Sequence, residues 1–463
     1  MKYKITLIFL AAFLIRLIAI NQSLWLDEAT TARVVQRYNY WEIITKFSPH
    51  DFHPPLYYML MKLWTNIFGY AEVVLRLPSV LFSLATGYMV YLLGKKIGDN
   101  DPAIGGMAKR EVGIRAAVFF LFNPLIVYYS QEARMYMMTT FFLSISIFYL
   151  ILMLKEKKSQ IQKSKFKAQN LVLFTLFSVL SFLTFYGSVF LTASMLFYLL
   201  FKKKFRMFYV SCLMFGVACL LLSPLLYRQL MNAKQQLQLV ADWSQVLGSA
   251  NLKNLLLIPL KFSIGRISFK PKWIYWFAAG VWSIITWFNV VKGGIKQKLL
   301  LYLLMTPIGL GFIFSFWTPL LQYFRFIYLI PIMSILLVSG MNASINRLIK
   351  AGFMVFTLIY LLVPAFYRED WKSLANAIKS DEVYMIYSSS DPLQYYRGDI
   401  RTVDLNELSS MRLSDKEIYL IPYSADIHRI DYRAILAKKN FRQQGQIDFR
   451  GLKLEKWKRY SAM

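Results

Sequence analysis

The sequence contains few cysteines, histidines and acidic residues. Its 463 residues include 2 Cys, 3 His and 25 Asp or Glu, against 54 Lys or Arg. Cys212 and Cys219 lie seven residues apart in one apolar run, which excludes a disulfide framework and a CxxC redox or zinc site. Charged residues make up 17% of the chain, whereas soluble domains have about 25%. This composition excludes a water-soluble globule.

Hydrophobic residues make up 57% of the chain and fall into long runs. Fourteen of the 25 acidic residues lie between Glu369 and Glu455, so the preceding part has very few. We therefore predict an all-α polytopic membrane body over residues 1–366. A transmembrane helix needs roughly 20 apolar residues, and about eleven runs approach that length. They lie near residues 5–21, 75–93, 115–130, 135–154, 170–185, 187–201, 206–224, 273–291, 299–317, 324–341 and 351–366.

The loops between these runs predict the orientation. Lys and Arg are concentrated in every second loop, and such loops are usually cytoplasmic. We therefore expect a multi-pass plasma-membrane protein with a cytoplasmic N-terminus. The outer face receives residues 22–74, residues 225–272 and the tail from residue 367 onward. Basic loops that face membrane lipids also account for the net charge of +29, so no nucleic-acid partner is expected.

The tail, residues 367–463, differs in composition from the body. A helical pattern, DWKSLANAIKS (370–380), precedes short apolar runs, VYMIY (383–387) and IYLIPY (418–423), separated by polar turns. Strands separated by helix or turn signals predict a small extracytoplasmic α/β domain. With under 100 residues its own core is marginal, so we expect it to dock on the membrane body.

The first outer loop, about residues 22–74, begins with an acidic pair. Asp27 and Glu28 follow the first apolar run directly. Adjacent carboxylates at the membrane interface raise each other's pKa unless a cation compensates. The candidate partners are a bound metal ion, Arg16 in the same run, or a basic residue from another outer segment. The alternative interpretation is that Asp27 only caps the helix that follows.

The same loop continues with SPHDFHPPLYYML, in which Pro54 and Pro55 allow a helix to begin. Asp51 and His53 would lie at the mouth of that helix, close to His50. Histidine next to a carboxylate, on the same side of the membrane as Asp27, fits a metal ligand or a carboxylate partner. A turn with an exposed histidine is the alternative.

Two further segments predicted on the outer face contain charged residues. Gln131, Glu132 and Arg134 lie in a turn between apolar runs, and Arg325 lies at the outer end of another run. Arginine suits bidentate phosphate binding, so Arg134 and Arg325 are candidates for a phosphate site. The alternatives are a Glu132–Arg134 pair that satisfies itself and an Arg325 that reaches the outer headgroups.

These segments together resemble the GT-C superfamily of membrane glycosyltransferases, in particular family 39 and its protein mannosyltransferase-like and aminoarabinose transferase-like relatives. The resemblance rests on an ordered set of motifs at both ends of the chain. They are LWLDEATT (24–31), HPPLYY (53–58), RLPSVLFSL (76–84), NPLIVYYSQEARMY (123–136), QYFRFIYLIP (322–331) and YREDWKSLA (367–375).

The resemblance implies transfer of a sugar from an undecaprenyl- or dolichyl-phosphate-type donor to a glycan, lipid or protein acceptor on the outer face, with inversion. A phosphate ester leaves without a general acid, so a single base suffices, and Asp27 resembles the family's first acidic residue in that role. Glu28 is expected beside it in the catalytic site.

Cations must stabilise the departing phosphate. Arg134 and Arg325 are the candidates, with Arg16 and a divalent metal ion held by Asp27, Glu28 or His53 as further ones. The expected supporting residues are Asp51, His53, Gln131, Glu132 and Tyr136.

A transporter or flippase of lipid-linked sugars is the alternative function. Transporters tend to place charges near the bilayer midplane and to have repeated halves. In this sequence the acidic residues avoid the centres of the apolar runs and no halves match. A receptor or assembly factor would leave Asp27 and Glu28 unexplained. The tail is expected to select the acceptor, with Arg368, Glu369, Asp370 and Trp371 near the rim of the site.

Overall fold

The structure is a computed structural model that describes residues 2–98, 109–155, 162–239, 247–340, 342–413 and 416–460. The helices of the body are α1 (Lys2–Leu17), α2 (Leu26–Arg37), α3 (Tyr40–Glu42), α4 (Leu56–Phe68), α5 (Glu72–Gly98), α6 (Lys109–Leu121), α7 (Pro124–Ser130), α8 (Tyr136–Lys155), α9 (Gln162–Thr184), α10 (Val189–Phe201), α11 (Phe205–Leu239), α12 (Leu252–Ile264), α13 (Lys272–Lys296), α14 (Lys298–Phe314), α15 (Ile330–Gly340) and α16 (Ala343–Leu362). Short π or 3₁₀ segments cover Ile43–Phe47, Ser48–His50, Tyr186–Ser188, Tyr323–Leu329 and Pro364–Phe366.

Six helical segments of the described chain are long and apolar enough to cross a membrane, or seven if the bent pair α6 and α7 is one span. Three shorter apolar helices, Ala168–Thr184, Tyr186–Phe201 and Lys298–Phe314, are further candidates, and α1 has 16 residues. Each predicted apolar run thus coincides with a helical segment. The all-α membrane body is confirmed, while the number of eleven crossings stays a prediction.

The bend between α6 and α7 positions the turn that carries Glu132 and Arg134. The two helices meet at 63°, because Pro124 begins a new helix and Asn123 caps it by accepting from the N–H groups of Leu125 and Ile126. The backbone carbonyls freed at the break accept hydrogen bonds from other segments. Arg16 donates to Leu121 O at 2.8 Å and Thr357 donates to Phe122 O at 3.1 Å.

The tail forms the predicted α/β unit. Its helices are α17 (Trp371–Ala377), α18 (Asp391–Tyr396) and α19 (Tyr432–Lys438), and its strands are β1 (Glu382–Met385), β2 (Arg401–Asp404), β3 (Glu417–Leu420), β4 (Phe441–Phe449) and β5 (Leu452–Arg459). The sheet order is β2-β1-β3-β5-β4. β1 pairs in parallel with β2 and β3, and β5 is antiparallel to β3 and β4. Buried side chains cover both faces of the sheet, from Trp371 on one to Trp457 on the other.

The tail docks on the first outer loop, as expected for a small domain. Tyr396 accepts a hydrogen bond from the N–H of Leu24 at 2.9 Å, and Thr30 donates to Asp391 Oδ2 at 2.7 Å. Lys372 pairs with Glu72 at 2.9 Å. These contacts join the two predicted domains beside α2, while the boundary at residues 366 and 367 stays a prediction.

Candidate active site

The two carboxylates at the start of α2 point into different surroundings. Glu28 is fully buried and accepts two hydrogen bonds from Arg76, at 2.8 Å from Nε and 2.6 Å from Nη2. The N–H of Ala133 donates to the same carboxylate at 2.7 Å. The remaining guanidinium hydrogens of Arg76 are donated to backbone carbonyls of residues 20–23. Glu28 therefore joins α2 to α5 and to the turn after α7.

Asp27 faces the outside of this cluster. Its side chain is 37% exposed, while Arg134, whose Nη2 lies 3.5 Å from Asp27 Oδ2, is 5% exposed. Arg134 Nη1 also donates to the backbone carbonyl of Asp27 at 3.4 Å. Burial lowers the pKa of Arg134, but the charge of Asp27 and neighbouring groups raise it well above the ordinary value, so the guanidinium stays charged. Asp27 is thus a solvent-accessible carboxylate in front of a buried cation.

Asp51 and His53 form the pair that the sequence suggested. His53 Nδ1 lies 3.2 Å from Asp51 Oδ1, and the imidazole stacks on Phe185 with ring centroids 6.3 Å apart. Burial raises the pKa of Asp51, but His53 and Arg134 outweigh burial, and the pKa falls below its ordinary value. His50 instead lies 3.3 Å from Asn232.

Arg325 and Tyr136 are two further predicted site residues near Asp27. Arg325 lies within electrostatic reach of both Tyr136 and Asp27, and the one hydrogen bond that its guanidinium makes among the described residues is a long one, 3.3 Å to Pro319 O. The Tyr136 ring packs against Phe185 and Phe324. Because this bond is long, the Arg325 guanidinium keeps donor capacity for a ligand near Asp27.

Arg16 and Gln131, both predicted at the site, make structural contacts. The buried guanidinium of Arg16 donates to Ser83 Oγ, Ala12 O and Leu121 O. Gln131 donates to the carbonyls of Arg16 and Ile18 at the end of α1 and accepts from Tyr360. The structure therefore directs the hydrogen-bonding groups of Arg16 away from Asp27 and into the bend between α6 and α7.

Glu132 pairs with an arginine from the tail and not with Arg134. Arg368 donates to Glu132 Oε1 at 3.1 and 2.9 Å, and its guanidinium stacks 3.7 Å above the ring of Trp25. Burial raises the pKa of Glu132 despite the charge of Arg368. The prediction that the start of the tail lies near the rim agrees with these contacts, since Trp25 is two residues from Asp27.

A second arginine near this cluster was not predicted from the sequence. Arg266 follows α12 and hydrogen-bonds to Tyr128, whose ring lies 4.6 Å from the guanidinium. Arg266 directly follows Gly265, which ends the helix with a φ of +70° that a residue with a side chain would rarely adopt. A Gly-Arg pair ending an apolar helix in an outer loop was the available signal.

Several buried polar atoms around Asp27 have no hydrogen-bond partner within the described residues. They are Trp25 Nε1, the Tyr57 hydroxyl, Glu132 Oε2, Arg134 Nε, Glu369 Oε2 and Trp371 Nε1. Buried polar groups in proteins are nearly always hydrogen-bonded, and each exception needs an explanation. These atoms therefore have hydrogen-bonding capacity that water or a polar ligand can use.

The predicted metal ligands do not form a donor set. Both carboxylate oxygens of Glu28 are taken by Arg76, and His53 faces Asp51. In the described ranges no three His, Cys, Asp or Glu side chains come together as metal ligands would. Arg76 and Arg134 are the cations that compensate Glu28 and Asp27.

Comparisons with known proteins agree with this architecture. The family model described as dolichyl-phosphate-mannose-protein mannosyltransferase matches residues 52–227. A search of curated proteins by sequence finds no significant match.

Among solved structures, ArnT from Cupriavidus metallidurans in the apo state matches with a TM-score of 0.58 and 11% identity over 98% of each chain. The same protein bound to undecaprenyl phosphate matches with a TM-score of 0.56, 12% identity, and coverage of 98% of this chain and 97% of that one. AglB from Archaeoglobus fulgidus, an oligosaccharyltransferase in complex with an inhibitory peptide and a dolichol-phosphate, matches with a TM-score of 0.51 and 12% identity over 96% of this chain and 73% of that one.

At these identities the structural matches show a shared fold, and that fold extends from the first helix into the tail. The predicted resemblance to GT-C membrane glycosyltransferases is confirmed by the fold together with the family match. The matched family segment contains His53 and Arg134 but begins after Asp27 and Asp51. The roles of individual residues rest on the geometry described above.

Proposed function

We propose that the protein is a membrane glycosyltransferase that moves a sugar from a polyprenyl-phosphate-linked donor to an acceptor hydroxyl. The observation that carries the proposal is the accessible carboxylate of Asp27, 3.5 Å in front of the buried Arg134 in a fold that matches ArnT over 98% of both chains. ArnT has been solved with bound undecaprenyl phosphate and AglB with a dolichol-phosphate, which supports a donor of the same chemical class.

In this proposal Asp27 is the general base. It accepts the proton of the acceptor hydroxyl while the oxygen attacks the anomeric carbon, and the bond from that carbon to the phosphate oxygen breaks. A single displacement from the opposite face inverts the anomeric configuration. The leaving phosphate carries away the negative charge, so no general acid is needed.

Arg134 and Arg325 stabilise the departing phosphate. Both lie within electrostatic reach of Asp27, and a buried guanidinium in a water-poor site stabilises developing negative charge more strongly than one in water. Glu28 and Arg16 are positioning residues, because their hydrogen-bonding groups are occupied by Arg76 and by backbone carbonyls. Asp51 and His53 form a pair whose carboxylate is within electrostatic reach of Arg134.

The test is turnover by Asp27→Asn in nanodiscs with a panel of radiolabelled polyprenyl-phosphate sugars. We expect near-normal donor binding and a turnover lower by about three orders of magnitude, which corresponds to about 4 kcal/mol of lost transition-state stabilisation. Asp381→Asn, an exposed carboxylate of the tail, is the matched control. Wild-type turnover in Asp27→Asn would remove Asp27 from the mechanism. A transporter would return the donor chemically intact.

We also propose that the N-terminus is cytoplasmic and that the tail, with the site, is extracytoplasmic. The basic loops support this orientation. In a background with Cys212 and Cys219 replaced by Ala, a cysteine at the exposed position 401 is expected to react with membrane-impermeant thiol reagents in intact cells. A cysteine at position 204 should react only with permeant ones. The reverse pattern would place the site on the cytoplasmic face.

A further inference from the structure

The tail contains a cleft that none of the predicted site residues occupies. It has a volume of about 760 Å³ and lies between the loop of residues 422–433 and the hairpin turn of β4 and β5. Small-ligand sites typically measure about 300–1,000 Å³. The cleft therefore has the size of a binding site for a small molecule or for the end of a larger one.

The lining of the cleft combines ring faces with charges of both signs. Tyr423 and Phe449 provide aromatic surface, and Asp426, Asp448 and Lys453 provide exposed carboxylates and an ammonium group. Asp426 is exposed at the surface of the cleft. A sugar presents hydroxyls around its edge and apolar C–H groups on its ring faces. Rings together with charged groups match that pattern better than they match a lipid chain.

The cleft is joined to the candidate active site by the segment Arg368–Trp371. Tyr423 packs edge-on against Trp371, with ring centroids 5.0 Å apart. The hairpin turn lies on the same segment, because Arg450 Nε donates to Arg368 O at 2.7 Å and Asp370 N–H donates to Arg450 O at 2.9 Å. Arg368 in turn stacks on Trp25.

Gly451 allows this close approach. Its φ is +73°, which a residue with a side chain rarely adopts, and a Cβ built on it would crowd Cγ of Glu369 at 3.1 Å. Burial raises the pKa of Tyr423, the charges of Glu369 and Asp27 raise it further, and Arg368 opposes them. Tyr423 therefore lines the cleft and also senses the charges of Glu369 and Asp27.

We propose that this cleft is the acceptor subsite and that the acceptor is a carbohydrate, held by Asp426, Lys453 and the ring of Tyr423 so that one of its hydroxyls reaches Asp27. The proposal deepens the proposed function and rests on it, because an acceptor subsite requires a transferase. It assigns the tail a ligand and names the carbohydrate among the glycan, lipid and protein acceptors left open by the sequence.

The first experiment measures binding without the donor. Saturation-transfer difference NMR of the full-length protein in nanodiscs uses chitotriose and maltotriose as probes. We expect wild type to bind at least one trisaccharide and Asp426→Asn/Lys453→Gln to bind it at least about tenfold more weakly, since hydrogen bonds to charged groups are lost. Glu407→Gln/Arg412→Gln, which makes the same charge change on the exposed tail outside the cleft, should bind like wild type.

Equal binding by both double variants would overturn the proposal, as would no binding of either sugar by wild type. Binding of a Ser- and Thr-rich peptide that the cleft variant loses, in place of the sugars, would also overturn it and indicate a protein acceptor.

The second experiment measures transfer. With labelled donor and the bound trisaccharide, glycosylated product and free sugar released by hydrolysis are counted in the same sample. The ratio of transfer to hydrolysis should fall at least about tenfold in the cleft variant and stay unchanged in the control. An unchanged ratio in the cleft variant would overturn the subsite. If wild type consumes no donor from the whole panel, the proposed function fails, and the binding experiment decides the cleft separately.

Discussion

Asp27 and Glu28 are neighbours in the sequence, and each has an arginine partner, but their surroundings differ. The Glu28–Arg76 pair has both side chains 1% exposed and contacts of 2.6–2.8 Å. The Asp27–Arg134 pair spans 3.5 Å, and the Asp27 carboxylate is 37% exposed. One pair uses its hydrogen-bonding capacity to hold three segments together, while the other leaves capacity for a ligand. Both pairs contain opposite charges. The structural pair differs from the candidate reactive pair in that its hydrogen-bonding groups are already occupied within the protein.

The largest expected contrast is in stability. Glu28→Ala leaves Arg76 buried without its counter-charge, so we expect the free energy of unfolding to fall by about 3–5 kcal/mol. Asp27→Ala should cost no more than about 1 kcal/mol, since its pair is longer and partly exposed. Thermal unfolding in detergent, scored for both variants and for Arg76→Ala, checks the comparison. Similar losses for Asp27→Ala and Glu28→Ala would contradict the distinction.

A smaller effect is expected on donor affinity. Arg134→Ala should weaken binding of the polyprenyl-phosphate donor by roughly tenfold to one hundredfold, because a charged hydrogen-bonding group contributes about 1.5–3 kcal/mol. Equilibrium binding in nanodiscs measures it, and the exposed Arg206→Ala is the matched control. Arg16→Lys should change the unfolding temperature more than the affinity. A donor affinity that depends on Arg16 and not on Arg134 would reverse the assignment.

A pH effect is expected from Asp51. Its pKa is lowered in the folded protein by His53 and Arg134 against the effect of burial. The stabilisation is therefore complete above the ordinary aspartate pKa of about 3.9 and is lost as the pH falls through the lowered value. Asp51→Asn should unfold at a lower temperature than wild type near neutral pH, and the difference should shrink below about pH 4. A difference that grows toward acid would show the opposite sign.

The smallest effect concerns the docking of the tail. Burial raises the pKa of Asp391, although Thr30 and Arg37 lower it. The raised value means that its contribution to stability is fully present below the ordinary aspartate pKa and declines as the pH rises through the folded one. Asp391→Asn, which keeps an acceptor for Thr30, should make protease sensitivity of the tail less dependent on pH. An unchanged pH profile would contradict it.

The segments that form the site were predictable, but most of the hydrogen-bond and ion-pair partners within it were not. The acidic pair, the Asp51–His53 segment, the turn with Glu132 and Arg134, and Arg325 were all placed on one face from hydropathy and loop charge. Their contacts place them around a single cluster. Glu28 is predicted as a catalytic residue, Arg16 as a phosphate ligand and Gln131 as a supporting residue, but their hydrogen bonds hold the surrounding segments together. Arg266 was missed because nothing in its local sequence relates it to Tyr128.

The membrane body and the small α/β tail could be predicted from the sequence alone, because hydropathy and alternation depend only on neighbouring residues, while the outer location of the charges stays a prediction. The tertiary structure decided which cation faces which carboxylate. Arg76 is 48 residues from Glu28, and Arg134 is 107 residues from Asp27. Contacts at such separations depend on how helices pack and bend, and burial then determines whether an ion pair is sealed or left open to a ligand.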